Sequence, residues 1–162
     1  MSTSPFWKGS RGEWYLVVQG VLFLLLLFGP RSFGGIPVWS APFTQYGSLC
    51  GGVLLLAGAL LATAGVVNLG KNLTPLPTPK RNASLIISGA FRLVRHPIYS
   101  GIIIFSFGWG LWLNSWPVIG YALLLLIFFD IKSRYEERLL LAKFQEYALY
   151  RTRVKKLIPF IY

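Results

Sequence analysis

The feature that most constrains this chain is the run Tyr46–Leu69, which contains no charged side chain and is long enough to cross a bilayer. A bilayer core requires about 20 consecutive apolar residues per helix, and about 17 at the short end. Three more apolar blocks occupy residues 14–28, 97–113 and 116–131. Charged residues make up only 13% of the chain. Soluble domains carry about a quarter, so an ordinary soluble fold is excluded.

These blocks predict an all-α protein, a polytopic membrane helix bundle with about four transmembrane helices near 14–28, 46–69, 97–113 and 116–131. We expect one integral membrane domain over residues 1–162, with a loop at 70–96 and a tail at 132–162. Within that tail, the spacing of Leu140, Phe144 and Tyr147 predicts a C-terminal amphipathic interfacial helix from Ser133 to about Arg153.

A cleaved leader is the alternative for the first block, because Lys8 and Arg11 precede it as they would in a secretory signal peptide. No small-x-small cleavage site follows closely, and Gly29-Pro30-Arg31 stands there instead. We therefore favour a retained first helix.

The formal net charge of +11 is concentrated in two segments. The loop after the second block carries five basic residues and no acid, and the tail counted from Asp130 carries eight basic residues against four acids. The positive-inside rule predicts that both segments, both termini and any site built from them face the cytosol. Lipid headgroups are the expected counterpart, and nucleic acid is not, because the basic residues flank apolar spans.

Metal chemistry is not expected, because the chain has one histidine and one cysteine and so lacks any metal-ligand spacing. The lone cysteine, Cys50, is expected to be a small packing residue.

Two further patterns predict how the helices pack. Small residues favour close contact between the second helix and a neighbour, namely Gly47, Gly51, Gly52, Gly58, Ala62 and Gly65. The short link 114–117 allows only a tight reversal, so the third and fourth helices should form an antiparallel hairpin. That hairpin would bring the 70–97 loop and the tail to the same membrane face.

The densest cluster of reactive side chains precedes the third helix and includes the only histidine, His96. Pro97 can open that helix at its first turn, which leaves His96 beside backbone N–H groups that attract anions. The alternative is an interfacial anchor, with His96 and Tyr99 in the headgroup belt and Arg95 on lipid phosphate.

The tail contains a second candidate cluster, the adjacent Glu136 and Glu137. They lie on or at the edge of the apolar side of the predicted tail helix, where a carboxylate is costly without a partner. Structural salt bridges to Arg134, Arg95 or Lys132 are the alternative to a ligand site.

The segment Gly89-x-x-x-x-x-Arg95-His96-Pro97-x-Tyr99-x-Gly101 resembles the isoprenylcysteine carboxyl methyltransferases and the related phospholipid N-methyltransferases. The resemblance continues through Glu136-Glu137-x-x-Leu140 to Phe144, Tyr147 and Ile158-Pro159, and it covers roughly the second half of the chain. One departure is Phe144-Gln145-Glu146, where Phe-Gly-Glu is more usual.

This resemblance implies a membrane-embedded methyltransferase that uses S-adenosylmethionine and acts on a lipophilic or membrane-delivered acceptor. It also implies which residues contact the methyl donor: Leu85, Ile86, His96, Pro97, Ile98, Tyr99, Gly101, Glu136 and Glu137. A basic residue shortly before the glutamates would face the substrate, and both Lys132 and Arg134 fit that position.

Two other functions stay open from the sequence. One is a membrane reductase of the sterol-reductase type, whose NADPH would require extra basic contacts for its phosphates. The other is a small non-enzymatic membrane protein. The acceptor of a methyltransferase also stays open between a prenylcysteine carboxylate, a lipid amine and a small thiol.

Overall fold

The computed structural model describes residues 12–35, 39–159 and 161–162 of the chain. Over these residues it is all-helical, as predicted. Lys8 and Arg11, on which the leader alternative depends, lie outside the described residues. The α-helices in chain order are α1 (Glu13–Phe28), α2 (Phe43–Leu69), α3 (Pro97–Trp112), α4 (Trp116–Lys143) and α5 (Tyr147–Arg153).

Helices α2 and α3 form the most extensive helix pair because glycines on both let the two backbones meet. A Cβ atom on Gly58 would lie 2.5 Å from the backbone nitrogen of Phe105, and one on Gly51 would lie 2.4 Å from that of Trp112. The same holds in reverse, since a Cβ on Gly108 would lie 2.7 Å from the nitrogen of Leu55. The predicted close contact is confirmed, and it depends on the absence of side chains at these positions.

The link between α3 and α4 is the tight reversal that the sequence predicts. Asn114 adopts a positive φ of 51°. Ser115 caps α4, because its side chain accepts a hydrogen bond from the backbone N–H of Val118, and Pro117 occupies the first turn. The backbone N–H of Ser115 donates to Gly110, which holds the start of α4 against the end of α3.

Helix α4 lies at the centre of the apolar core and contacts both α1 and α3. Leu125 and Phe129 of α4 are fully buried, and the ring of Phe129 lies 6.5 Å from that of Phe23 in α1. The core is completed by residues from α1, α3, the first half of α4 and the segment after α5: Leu26, Ile103, Val118, Phe128 and Leu157.

The separate amphipathic helix predicted from Ser133 to about Arg153 is not confirmed. Helix α4 does not end at 131 but continues to Lys143 as one 28-residue helix. The chain leaves the helix at Phe144, whose φ of −124° and ψ of 114° are extended, and α5 is only seven residues long. The members of the apolar spacing therefore belong to α4, to the link after it and to α5, and Leu140, Phe144 and Tyr147 line one cavity.

Two stretches among the described residues are long and apolar enough to cross a membrane, Phe43–Asn72 and Trp116–Lys143. Helices α1 and α3 have 16 residues each. At 1.5 Å per residue such a helix spans about 24 Å, less than the roughly 30 Å of a hydrocarbon core. The expected count of four spans is therefore not confirmed, and membrane crossing by α1 and α3 stays a prediction.

We expect Gly58→Ala to lower the stability of the protein, because the new methyl group would collide with the backbone of α3. Overpacking of this kind costs about 1–3 kcal/mol. Gly20→Ala is the matched control, since nothing lies within 4 Å of a Cβ at that helical position. Thermal unfolding in detergent, followed by tryptophan fluorescence, should show a lower midpoint for Gly58→Ala only. Equal midpoints for the two variants would contradict the packing described here.

Candidate active site

The start of α3 is fixed by the chain's C-terminal segment. The backbone N–H groups of Arg95 and His96 donate to the carbonyls of Lys155 and Lys156 at 2.8 and 3.2 Å. Pro97 then opens the helix, and the backbone N–H of Ser100 donates to the carbonyl of His96. These bonds hold the His96 side chain in one place, 6% exposed.

Glu137 forms a buried charge cluster with Arg95 and His96. The Arg95 guanidinium donates to both carboxylate oxygens, with 2.7 Å from Nε to Oε1 and 3.4 Å from Nη2 to Oε2. His96 Nε2 lies 3.1 Å from the same Oε1. The Arg95 and Glu137 side chains are only 9% and 6% exposed. Glu137 therefore stabilises the site by its buried contacts with Arg95 and His96.

Glu136 points in a different direction from its neighbour and accepts a hydrogen bond from the hydroxyl of Tyr99, at 2.9 Å. The Tyr99 ring lies parallel to the His96 ring, with centroids 5.4 Å apart, and stacks on Phe129 at 4.6 Å. Tyr99 is therefore held at both ends of its side chain. The Glu136 side chain keeps 24% exposure, which leaves a carboxylate oxygen free to meet a ligand.

Lys132 lies one helical turn before Glu136 on the same face of α4. It is only 1% exposed. Its Nζ donates to the side-chain oxygen of Gln19 at 2.6 Å and to the carbonyl of Pro75 at 3.3 Å. It also lies 5.2 Å from the centroid of the Tyr99 ring, a cation–π distance.

The loop between α2 and α3 covers these side chains. It is held in place by hydrogen bonds from the side chains of Asn72 and Lys143. Asn72 exchanges hydrogen bonds with Ser84, from its Nδ2 to the carbonyl at 3.1 Å and from the Ser84 N–H to its Oδ1 at 3.3 Å. Lys143, at the end of α4, donates to the carbonyls of Lys80 and Arg81. The Asn72–Ser84 bonds thereby close the loop on itself, and Lys143 ties it to α4.

The result is a cavity of about 320 Å³ between the loop, α1, α3 and α4. Small-molecule and cofactor sites typically measure roughly 300–1,000 Å³. Most of the residues suggested by the family resemblance lie on its wall: Leu85, Ile86, His96, Pro97, Ile98, Tyr99, Lys132 and Glu136.

Three of the predicted site residues lie elsewhere. Glu137 is behind the wall, bound to Arg95. Gly101 packs on α2, where a Cβ would lie 2.4 Å from the backbone nitrogen of Ala62, so it serves helix packing and not ligand approach. Arg134 is 61% exposed and pairs with Asp130 at 2.7 Å, which removes it from the cavity and leaves Lys132 as its basic residue on α4.

A comparison with known proteins shows the family of the chain. The profile of the phospholipid methyltransferase family matches residues 46–147, which include most of α2 and all of α3 and α4. The chain belongs to the phospholipid methyltransferase family. The resemblance seen in the sequence is thereby confirmed at the level of the family.

Three curated relatives illustrate the breadth of this family. Protein-S-isoprenylcysteine O-methyltransferase B of Arabidopsis thaliana is 30% identical over 67% of this chain and 57% of its own length. Protein-S-isoprenylcysteine O-methyltransferase of Schizosaccharomyces pombe is 31% identical over 95% of this chain and 70% of its own length. The cobalt-zinc-cadmium resistance protein CzcN of Cupriavidus metallidurans is 31% identical over 91% and 62%. The chain thus spans about six tenths of the length of most of these relatives.

Some residues that line or adjoin the cavity were not predicted from the sequence. Gln19 was missed, although it is the one amide within the first apolar block and could have been noticed for that reason. Tyr147 and Tyr150 of α5 also line the cavity, and burial raises the pKa of both phenols above the usual value. Tyr150 donates to the carbonyl of Phe91 and so joins α5 to the loop.

We expect Glu137→Gln to destabilise the protein more than Glu136→Gln does, although the two residues are adjacent. Removing the Glu137 charge leaves Arg95 buried without its counterion, which costs about 3 kcal/mol. Glu136→Gln loses one partly exposed hydrogen bond, which costs about 1 kcal/mol. Thermal unfolding midpoints in detergent measure the difference, and a lower midpoint for Glu136→Gln would contradict these assignments.

Proposed function

We propose that this protein is a membrane-embedded methyltransferase that uses S-adenosylmethionine and methylates a lipophilic acceptor carrying a carboxylate. The observation that carries the proposal is that one cavity contains Glu136, Tyr99 and Lys132 on its wall. Relatives named protein-S-isoprenylcysteine O-methyltransferase support the same reaction class.

The cavity suits the methyl donor in its charge and in its apolar surface. Glu136 offers a carboxylate oxygen to a cationic or hydroxyl-bearing ligand, and the Tyr99 ring offers a π face. Leu85 and Ile86 supply apolar contacts from the covering loop. These are the groups that a nucleoside with a positively charged side chain requires.

When bound, S-adenosylmethionine supplies an electrophilic methyl group, whose transfer to a carboxylate oxygen leaves the C–S bonding electrons on sulfur and moves no proton. The residues of this chain therefore have to bind, orient and exclude water. No side chain has to act as a general base for a carboxylate acceptor, whereas an amine acceptor would first have to lose a proton.

Lys132 favours an anionic acceptor. Its Cα lies four residues, about 6 Å along the helix axis, from that of Glu136. A carboxylate held by Lys132 would then lie beside a donor held by Glu136, and the two ligands would approach each other across the Tyr99 ring. An amine or a cationic acceptor would be repelled from this end of the cavity.

A nicotinamide cofactor fits the cavity less well. Among the described residues, the basic side chains that line the cavity are Arg95, His96 and Lys132. Arg95 is committed to Glu137, which leaves only His96 and Lys132 to face the phosphates. That leaves little positive charge for the several phosphates of NADPH.

We also propose that the cavity faces the cytosol, with α1 and α3 inserted beside the two long helices. The basic loop 70–96 and the basic tail support this orientation through the positive-inside rule.

Donor binding should fall when the cavity carboxylate or its partner is removed. We expect Glu136→Gln to weaken S-adenosylhomocysteine binding roughly 10- to 150-fold, because a hydrogen bond to a charged group contributes about 1.5–3 kcal/mol. We expect Tyr99→Phe to weaken it roughly 5- to 30-fold, because other hydrogen bonds contribute about 1–2 kcal/mol. Isothermal titration of the purified proteins measures both effects. Glu146→Gln, which removes an exposed glutamate outside the cavity, is the control and should bind like the parent.

The same titration separates the alternatives. Binding of NADPH without binding of S-adenosylhomocysteine would replace the proposal by a reductase. Failure of the parent protein to bind either ligand would favour a non-enzymatic membrane protein.

Acceptor binding should distinguish the two basic candidates. We expect Lys132→Met to raise the KM for a prenylcysteine carboxylate substrate roughly 10-fold or more, as expected for loss of a charged contact of about 1.5–3 kcal/mol. Arg134→Gln should leave the KM unchanged, because Arg134 lies outside the cavity. Steady-state methyl transfer measures both, and S-adenosylhomocysteine affinity should be retained in each variant. A raised KM in Arg134→Gln alone would reverse the assignment.

A further inference from the structure

A second pocket, of about 590 Å³, lies on the opposite side of the Arg95–Glu137 pair from the candidate active site. We call it the basic pocket. Its wall carries one carboxylate, Glu137, and six basic side chains: Arg95, Arg134, Arg138, Arg151, Lys155 and Lys156.

The charge in the basic pocket is far from balanced. Glu137 is shared between Arg95 at 2.7 Å and Arg151 at 3.6 Å. Among the described side chains, Asp130 is a second carboxylate paired with this group, and it is shared between Arg134 and Lys156. The six cationic side chains thus share the side-chain carboxylates of Glu137 and Asp130.

Two of the cations have no counterion of their own. Arg138 and Lys155 are exposed, and neither forms an ion pair or side-chain hydrogen bond within the described residues. The backbone oxygen of Tyr162, which also lines the pocket, accepts from the backbone N–H groups of Leu157 and Ile158.

The basic pocket has a buried floor and an exposed rim. Lys156 is 6% exposed and forms the floor with the Arg95–Glu137 pair. The rim includes the exposed cations and also two apolar side chains, Leu141 and Ile161, which are 37% and 73% exposed. Apolar groups beside basic ones are typical of a surface at the level of lipid headgroups.

We propose that the basic pocket binds a phosphate group, presented by an anionic phospholipid headgroup or by a soluble phosphate ester. Phosphate oxygens match guanidinium groups in geometry, and three arginines on the rim can donate to them. The exposed Leu141 and Ile161 favour the lipid as the source, because its acyl chains would cover them. This site is separate from the proposed donor cavity and does not depend on the function proposed for it.

The proposal is tested with the full chain in detergent micelles by native mass spectrometry, which counts bound lipids. The parent should retain one phosphatidylglycerol in preference to phosphatidylcholine. The double variant Arg138→Gln/Lys155→Gln should bind it roughly 10- to 30-fold more weakly, as expected for two cations near a headgroup. Arg138→Glu alone should weaken binding as well.

The control is Arg92→Gln/Arg153→Gln, which removes two exposed charges from the same region outside the basic pocket. It should retain phosphatidylglycerol like the parent. Equal losses in both double variants, or equal retention of the two lipids by the parent, would overturn the proposal, because either result means diffuse attraction and no defined site.

Competition by inorganic phosphate identifies the source. Displacement of phosphatidylglycerol by millimolar phosphate supports the site with a soluble phosphate as ligand. If phosphate does not displace phosphatidylglycerol, and only the Arg138→Gln/Lys155→Gln variant binds this lipid more weakly, the result supports the site with the lipid as ligand. Unchanged thermal unfolding of both double variants shows that folding is not the cause.

Discussion

The rest of the site depends on the buried contact between Arg95 and Glu137. Arg95 precedes α3, Glu137 belongs to α4, and the same guanidinium donates to the carbonyls of Arg151 and Val154 after them. Taking an ion pair out of water is costly unless its remaining donors are satisfied, and here backbone carbonyls satisfy them. One side chain thereby joins three segments that are distant in sequence, and it fixes His96 at the point where they meet.

The adjacent residues Glu136 and Glu137 of α4 have different roles, because successive side chains point about 100° apart around a helix. Glu137 turns toward Arg95 and holds the fold, whereas Glu136 turns into the cavity and meets Tyr99. Lys132, four residues earlier, returns to the face of Glu136. The polar stretch of α4 can remain helical beyond the apolar span because each of these charges has a partner in the structure.

Much of this arrangement follows from the sequence, and the exceptions have physical causes. The glycines at 51 and 58 and the short link at 114–117 predicted the packing of α2, α3 and α4, since both are local constraints. The end of α4 was not predictable from periodicity, because partners distant in sequence stabilise its polar half. The positions of Gly101 and Arg134 outside the cavity could not be predicted for a related reason: a motif gives the spacing of residues, whereas the neighbouring segments decide what a glycine or an arginine contacts. Gln19 was overlooked because its partner, Lys132, is remote in sequence.

The order of residues along α4 also bears on how two unlike ligands could meet in the proposed enzyme. In the proposed orientation α4 runs toward the cytosol, so Lys132 lies deeper than Glu136 by one turn. Gln19 of α1 contacts Lys132 from the membrane side, whereas Leu85 and Ile86 cover the cavity from the loop. A polar donor would then enter beneath the loop and meet Glu136 first, and a lipophilic acceptor would enter between helices and meet Lys132 first. The two would meet over Tyr99, whose ring is fixed by His96, Phe129 and Glu136. In that orientation the cavity would be covered by the loop at its polar end and bordered by α1 at the end where the acceptor enters.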